Sequence, residues 1–191
     1  SLTGIMDVTS FREEVTRGDF ARMLVNASSY RENLPTVAVS VFADVPATNP
    51  NAIYIRIAAS QGWMTGYLGG LFKPDESVSY KDAVKAMLTM LGYTDDDFVG
   101  DLSTSRLSKF NDLELNENVN RSLEDKLNQP DCMNLFYNLL KANPKDETGI
   151  YGAILDCELT SDGEINPIGI LEDERKGPIL VRSGFSVAES V

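Results

Sequence analysis

The chain has 191 residues, enough for one domain or an array of small units, and its 42% hydrophobic content can fill a core. Its net charge of −12 opposes sequence-independent binding to nucleic acid or to an anionic membrane, because both require lysine and arginine to neutralise phosphate. The lack of histidine excludes Ser-His-Asp and Cys-His catalysis, and no apolar run approaches the roughly 18 residues of a membrane span.

The two ends of the chain indicate a piece of a longer protein. The chain begins at Ser1 without a methionine, a basic leader or an apolar leader. It ends in FSVAESV, without a helix stop signal or a polar tail. We therefore expect other domains of a parent protein to be among its neighbours.

A block of 13 residues occurs three times, as VTRGDFARMLVNA at 15–27, VSYKDAVKAMLTM at 78–90 and LNQPDCMNLFYNL at 127–139. Offsets of 63 and 49 residues align its apolar positions, so each copy is expected to be one structural repeat that buries its apolar face against the others. Each copy also starts with a helix-capping residue and has an aspartate three positions later, which predicts a capped helix. The pairs are Thr16 and Asp19, Ser79 and Asp82, and Asn128 and Asp131.

The segments between the copies predict further helices and turns in a mainly α fold. VAVSVFADVP at 37–46 indicates a short extended entry segment, and a helix capped by Asn49 with Pro50 as its first residue is expected to follow. GYLGGLFKPDES at 66–77 predicts a glycine-rich turn, and residues 95–109 predict an acidic loop with a weaker helix. The expected repeats are about 1–32, 40–93 and 94–143.

The pattern changes beyond the third copy. YGAILDCEL at 151–159 and GPILVRSG at 177–184 are interpreted as strands, and SDGE at 161–164 predicts a turn between them. Residues 144–191 are therefore expected to form a short β-rich extension, the start of a further domain.

Arg17 is not explained by helix capping. A cation in the first turn faces the positive end of the helix dipole, at a cost of about 0.3–1 kcal/mol when exposed. Tyr80 and Gln129 occupy the equivalent positions, so the fold does not require a charge there. Arg17 therefore indicates a nearby anion, which is either a protein carboxylate or a ligand acid. The ligand is favoured, because free helix amides beside Arg17 would help to hold an anion.

These motifs resemble the S-layer homology (SLH) repeat. The second copy carries the likeness best, with FADVP at 42–46, QGWMTGY at 61–67 and GGLFKP at 69–74. The first copy keeps the family's helix signature as TRGD at 16–19. The resemblance covers residues 1–143 and is most specific over about 42–92.

The resemblance implies a fold, a location and a function. Such repeats come in threes, pack as a pseudo-threefold helical bundle and bind secondary cell-wall polysaccharide of Gram-positive bacteria in the grooves between repeats. The polymer is commonly acidic through pyruvylated sugars, which the signature arginine meets. The chain would then be an extracellular, non-catalytic attachment module of the cell wall or S-layer. The ligand-binding residues implied are Thr16, Arg17, Asp19, Gly66, Tyr67, Gly69 and Lys73.

Departures from the family pattern support an alternative function. The signature arginine is missing from the second and third copies, where SYKD and NQPD stand. Degenerate repeats could instead serve as a structural spacer or a protein-interaction platform in a larger surface protein. Trp63 could stack on a sugar, but a core position is favoured for a lone tryptophan at a helix end.

Neither a cofactor nor a metal site is predicted. Asp95 begins an acidic run like that of a calcium loop, but Val99 and Arg106 occupy positions that should coordinate the ion, so a solvated loop is favoured over a looser calcium site. Cys132 and Cys157 form no CxxC motif. A small buried side chain is favoured for Cys132 over a disulfide.

Overall fold

The protein is described by a computed structural model that covers residues 13–165 except 38, 40, 147 and 158. These residues form six α-helices and two short 3-10 helices, and their only β pairing consists of isolated bridges. The mainly α class is therefore confirmed. The α-helices are α1 (Arg17–Asn26), α2 (Ala52–Ser60), α3 (Tyr80–Met90), α4 (Leu102–Asp112), α5 (Gln129–Lys141) and α6 (Tyr151–Ile154), and the 3-10 helices are Ser29–Glu32 and Asp95–Asp97.

The three repeated blocks form α1, α3 and α5, and each helix begins where the capping pattern predicts. In every case the cap side chain accepts a hydrogen bond from the amide of the aspartate three residues later, which satisfies one of the free donors of the first turn. The bonds are Asp19 to Thr16 at 3.1 Å, Asp82 to Ser79 at 3.2 Å and Asp131 to Asn128 at 3.0 Å. Two aligned apolar columns are fully buried: Phe20, Ala83 and Cys132, and Leu24, Met87 and Phe136.

The residues just before these helices are joined by a closed ring of backbone hydrogen bonds. The amide of Val15 donates to the Leu127 carbonyl (2.8 Å), Leu127 donates to Val78 (3.1 Å), and Val78 donates back to Val15 (2.9 Å). All three side chains are buried. The ring therefore joins the amino ends of α1, α3 and α5 next to the hydrophobic core.

A single segment after α5 contacts the carboxyl ends of the same three helices. The amide of Lys145 donates to the Leu91 carbonyl at the end of α3 (2.8 Å). Tyr151 donates its amide to Ala142 at the end of α5 (2.8 Å) and its hydroxyl to Ala27 at the end of α1 (2.9 Å). Residues that the sequence assigns to an extension thus satisfy helix ends of the repeats, while the domain boundary at 143 stays a prediction.

The strand predicted at 151–159 is wrong over its first half, because Tyr151–Ile154 form α6. Tyr151 and Leu155 are four residues apart, a spacing that places both on one face of a helix, and both are buried in the core. A Cβ at Gly152 would lie 3.1 Å from the Leu140 carbonyl and would overlap Ile165, so the helix can pack this closely only with glycine.

The predicted turn at 161–164 is present, with the Thr160 amide donating to the Glu164 carbonyl (2.8 Å) and a φ of +79° at Gly163. It is flanked by an isolated antiparallel bridge between Leu159 and Ile165. The second predicted strand, at 177–184, lies outside the described residues. The described part of the extension is therefore a short helix and one bridged turn.

Two smaller expectations also changed. The helix expected to start at Pro50 begins two residues later, at Ala52, because Asn49 accepts a hydrogen bond from the Asn51 amide (2.8 Å) in the preceding turn. The described residues of the 37–46 segment contain no strand. Every helix in the described ranges falls short of the length and apolar character that a membrane crossing needs.

The cysteines and the acidic loop have structural explanations. Cys132 is buried and is not in a disulfide, which confirms its interpretation as a small buried side chain, and burial raises the pKa of its thiol. Asp95 pairs with Arg106, and Asp97 caps its own short helix and pairs with Lys145 (2.5 Å). No cluster of three metal-ligating side chains occurs in the described part of the chain.

Candidate functional site

The site expected from sequence lies where the amino end of α1 meets residues 65–76, which we call the second-repeat loop. The amide of Arg17 donates to the Glu76 carbonyl (2.8 Å), and that of Gly18 donates to the Pro74 carbonyl (2.9 Å). The first two amides of the helix are thus bonded within the protein. The expectation of free amides that help to hold a ligand acid is therefore wrong.

The Arg17 guanidinium is buried in this loop, with 2% of the side chain exposed. Its Nε donates to the Phe72 carbonyl (2.9 Å), Nη1 to Asp82 Oδ2 (2.7 Å) and Nη2 to the Thr65 carbonyl (2.8 Å). Of the two anions that the sequence left open, the protein carboxylate is present as Asp82. A direct contact of Arg17 with a ligand stays a prediction.

Two aromatic rings and a second cation surround this guanidinium. Its central carbon lies 4.8 Å from the Tyr67 ring centroid and 4.7 Å from that of Phe72, within the range of cation–π attraction. Lys73 Nζ lies 4.6 Å from the same Tyr67 ring and 2.8 Å from Glu76, and that hydrogen bond raises the pKa of Lys73. Tyr67 is 43% exposed, so this ring and the lysine form the solvent-facing side of the site.

Glycine is required in the second-repeat loop for two different reasons. A Cβ at Gly66 would overlap the Phe42 ring and lie 2.8 Å from the Leu71 carbonyl, so contact with neighbouring atoms excludes a side chain. Gly69 has open space around it but a φ of +87°, which favours glycine at the loop tip. The adjacent Leu68 is 99% exposed, which places this tip in solvent.

The FADVP motif braces the loop through Asp44. Its carboxylate accepts hydrogen bonds from the amides of Phe72 (2.8 Å) and Lys73 (2.6 Å). Desolvation alone would raise the pKa of Asp44, but these amide donors and the charge of Arg17 together hold it below its usual value. The motif was recognisable in the sequence, although its contact with residues 28 and 29 positions away was not.

Thr16 and Asp19 lie at the edge of the same interface. Thr16 caps α1 and forms an antiparallel bridge with Ser77, while Asp19 is exposed and accepts a hydrogen bond from Asn51 Nδ2 (3.0 Å). Sequence reasoning missed Asn51, because its contact spans 32 residues and no local pattern signals it. Of the seven predicted residues, Arg17, Tyr67 and Lys73 come together, and Gly66 holds their loop.

Trp63 does not face this surface. It is buried in the core and packs edge-on against Tyr30, with ring centroids 5.9 Å apart. The interpretation of this tryptophan as a core residue is therefore confirmed.

Residues 41–84 of the chain match the S-layer homology domain family. The matched segment contains the Asp44 brace, α2, the second-repeat loop and the first turn of α3 with Asp82. It therefore includes the hydrogen-bond and cation–π partners of the Arg17 guanidinium described above, which are Thr65, Tyr67, Phe72 and Asp82.

Two curated bacterial proteins are similar to the chain. It is 25% identical over 152 residues to the Middle cell wall protein of Brevibacillus brevis, an alignment that covers 78% of this chain and 14% of that protein. It is 26% identical over 107 residues to the Surface layer protein of Brevibacillus choshinensis, covering 56% of this chain and 10% of that protein. The chain thus spans a small part of the length of these relatives.

Proposed function

We propose that this chain is a non-catalytic module that attaches a larger surface protein to the bacterial envelope by binding an anionic secondary cell-wall polysaccharide. The observation that carries the proposal is the S-layer homology match at 41–84, which coincides with the loop that encloses Arg17. The relatives named for the cell wall and the surface layer support an extracellular protein of the cell wall or S-layer.

The proposal includes an arrangement of three repeats, at about 1–32, 40–93 and 94–143, around a pseudo-threefold axis. The ring of hydrogen bonds through Val15, Val78 and Leu127 supports it, since these residues precede equivalent helices and are bonded in a closed cycle. The grooves between repeats would lie outside this ring. Arg17 would line the groove between the first and second repeats.

Within that groove we assign different roles to the predicted residues. Arg17 is buried and bonded to three acceptors, so we assign it the role of holding in place the loop that carries Tyr67 and Lys73. Tyr67 offers an aromatic surface to a sugar ring, and Lys73 offers an exposed cation to an acidic substituent such as pyruvate. Thr16, Asp19, Gly66 and Gly69 shape the groove.

The proposal is tested by sedimenting the chain with purified Gram-positive cell walls before and after the secondary polymer is stripped. We expect retention on intact walls and its loss on stripped walls. Tyr67→Ala should reduce retention several-fold, whereas its neighbour Leu68→Ala, a change at an exposed side chain, should not. Equal sedimentation with both wall preparations would overturn the proposal. Thermal melting of both variants confirms that they are folded.

The alternative is a spacer or protein-interaction platform that has lost sugar binding. One observation favours it: the signature arginine is satisfied by Asp82 and two carbonyls, and its counterparts are Tyr80 and Gln129. The same sedimentation experiment separates the two functions, because a spacer would stay in the supernatant with both wall preparations.

A further inference from the structure

The amino end of α3 docks onto residues 114–125, the third-repeat loop, as α1 docks onto the second-repeat loop. The amide of Tyr80 donates to the Asp125 carbonyl (2.9 Å) and that of Lys81 to the Leu123 carbonyl (2.9 Å). Offsets of 63 residues for the donors and 49 for the acceptors relate these bonds to those of Arg17 and Gly18. We call the α1 contact the first interface and the α3 contact the second interface.

The side chains at the second interface differ from those at the first. Tyr80 stands where Arg17 stands in the first interface, and it is buried edge-on against Phe110, with ring centroids 5.8 Å apart. A neutral phenol cannot supply the charge that Arg17 gives to Asp82. The equivalent aspartate, Asp131, is nevertheless paired with an arginine.

That arginine is Arg121, whose register in the third-repeat loop is that of Phe72 in the second. Its Nε donates to Asp131 Oδ2 (3.0 Å), and its Nη2 forms an ion pair with the same oxygen at 2.8 Å. The same carboxylate oxygen accepts the Asn128 amide (3.0 Å) and so holds the first turn of α5. Hydrogen bonding to Asp131 raises the pKa of Arg121, which keeps the guanidinium charged.

We infer that Arg121 is the positioning residue that replaces, at the second interface, the arginine missing from the second repeat. The aromatic residue and the cation have changed places: Arg17 on the helix and Phe72 in the loop become Tyr80 on the helix and Arg121 in the loop. In both interfaces an arginine therefore pairs with a first-turn aspartate, which is Asp82 of α3 in the first and Asp131 of α5 in the second.

The exchange changes what the ion pair connects. Arg17 and Asp82 belong to different repeats, whereas Arg121 and Asp131 belong to the same repeat. The Arg121 side chain is 32% exposed, and carboxylates at Asp125 and Glu14 add to the field of Asp131 around it. Arg121 therefore stabilises the third repeat and does not present a free cation to an acidic ligand.

The test is a set of exchange variants of the full chain, followed by thermal unfolding. Arg121→Gln should lower Tm by about 2–6 °C. Lys126→Gln, a change at an exposed lysine directly after the third-repeat loop, should shift Tm by less than about 1 °C. Equal shifts of Tm in these two variants would overturn the inference.

The exchange itself is tested by coupling. Tyr80→Arg alone places a second guanidinium beside a carboxylate that is already bonded, so it should be strongly destabilising. Adding Arg121→Phe should recover part of that loss, whereas adding Lys126→Phe should recover none. Additive effects of Tyr80→Arg and Arg121→Phe would contradict the inference. Both readouts measure stability, so neither depends on whether the chain binds cell walls.

Discussion

The first and second interfaces use the same backbone hydrogen bonds with different side chains. In each, the first two amides of a helix donate to carbonyls of the next repeat's loop, at distances of 2.8–2.9 Å. In the first, the side chain at the helix start is a buried arginine that donates to a carbonyl of the loop, and in the second it is a buried tyrosine that packs on Phe110 of α4. Because the same backbone bonds join each helix start to its loop, the side chain that follows them can be an arginine or a tyrosine without loss of these bonds.

The two loops are also braced differently. Asp44 accepts the amides of Phe72 and Lys73 in the second-repeat loop. The side-chain amide of buried Asn138 donates to the carbonyls of Leu115 (3.0 Å) and Glu117 (2.8 Å) at the start of the third-repeat loop. The Asp44 carboxylate can be protonated at low pH, whereas the Asn138 amide cannot. The two loops should therefore differ in their sensitivity to acid.

The largest expected effect comes from removing Arg17, which is buried although its partner Asp82 is 35% exposed. Arg17→Ala removes a buried side chain and leaves the carbonyls of Thr65 and Phe72 without their donor, and should lower the free energy of unfolding by about 2–4 kcal/mol. The matched change at the second interface, Tyr80→Phe, keeps the ring and should cost less than about 1.5 kcal/mol. Denaturant unfolding measures both, and similar losses would remove the distinction between the interfaces.

A smaller loss is expected from crowding the second-repeat loop. Gly66→Ala places a methyl group against the Phe42 ring and the Leu71 carbonyl, and should cost about 1–3 kcal/mol. Leu68→Ala, two residues away and fully exposed, should be neutral within about 0.5 kcal/mol. Comparing their unfolding midpoints checks the packing of this loop, and a neutral Gly66→Ala would show that Phe42 does not pack there.

The smallest effect is a difference in acid sensitivity. Because the pKa of Asp44 is lowered in the folded protein, its carboxylate stabilises the fold above the unfolded value of 3.8, and this stabilisation is lost as the pH falls through the lower folded pKa. Asp44→Asn should therefore flatten the acid end of the stability curve, whereas Asp112→Asn at an exposed position on α4 should not. Parallel curves for Asp44→Asn and the parent would contradict the brace.

Local features were predicted from sequence, and contacts between distant residues were not. The caps at Thr16 and Ser79 follow from residue type and a spacing of three, so the helix starts could be predicted. The pairing of Arg17 with Asp82 joins residues 65 positions apart, and no local signal chooses that carboxylate over a ligand acid. The predicted strand failed at Tyr151 because apolar residues four apart fit a helix as well as an alternating pattern.

We propose that the chain binds anionic wall polysaccharide through the exposed face of the first interface. The most direct measurement is calorimetric titration of purified wall polysaccharide into the parent chain, Lys73→Gln and Lys126→Gln. We expect Lys73→Gln to weaken binding by about 3–10-fold, because one exposed charge contact is lost, and Lys126→Gln to bind as the parent does. Unchanged affinity in Lys73→Gln, or no binding by the parent, would contradict this proposal.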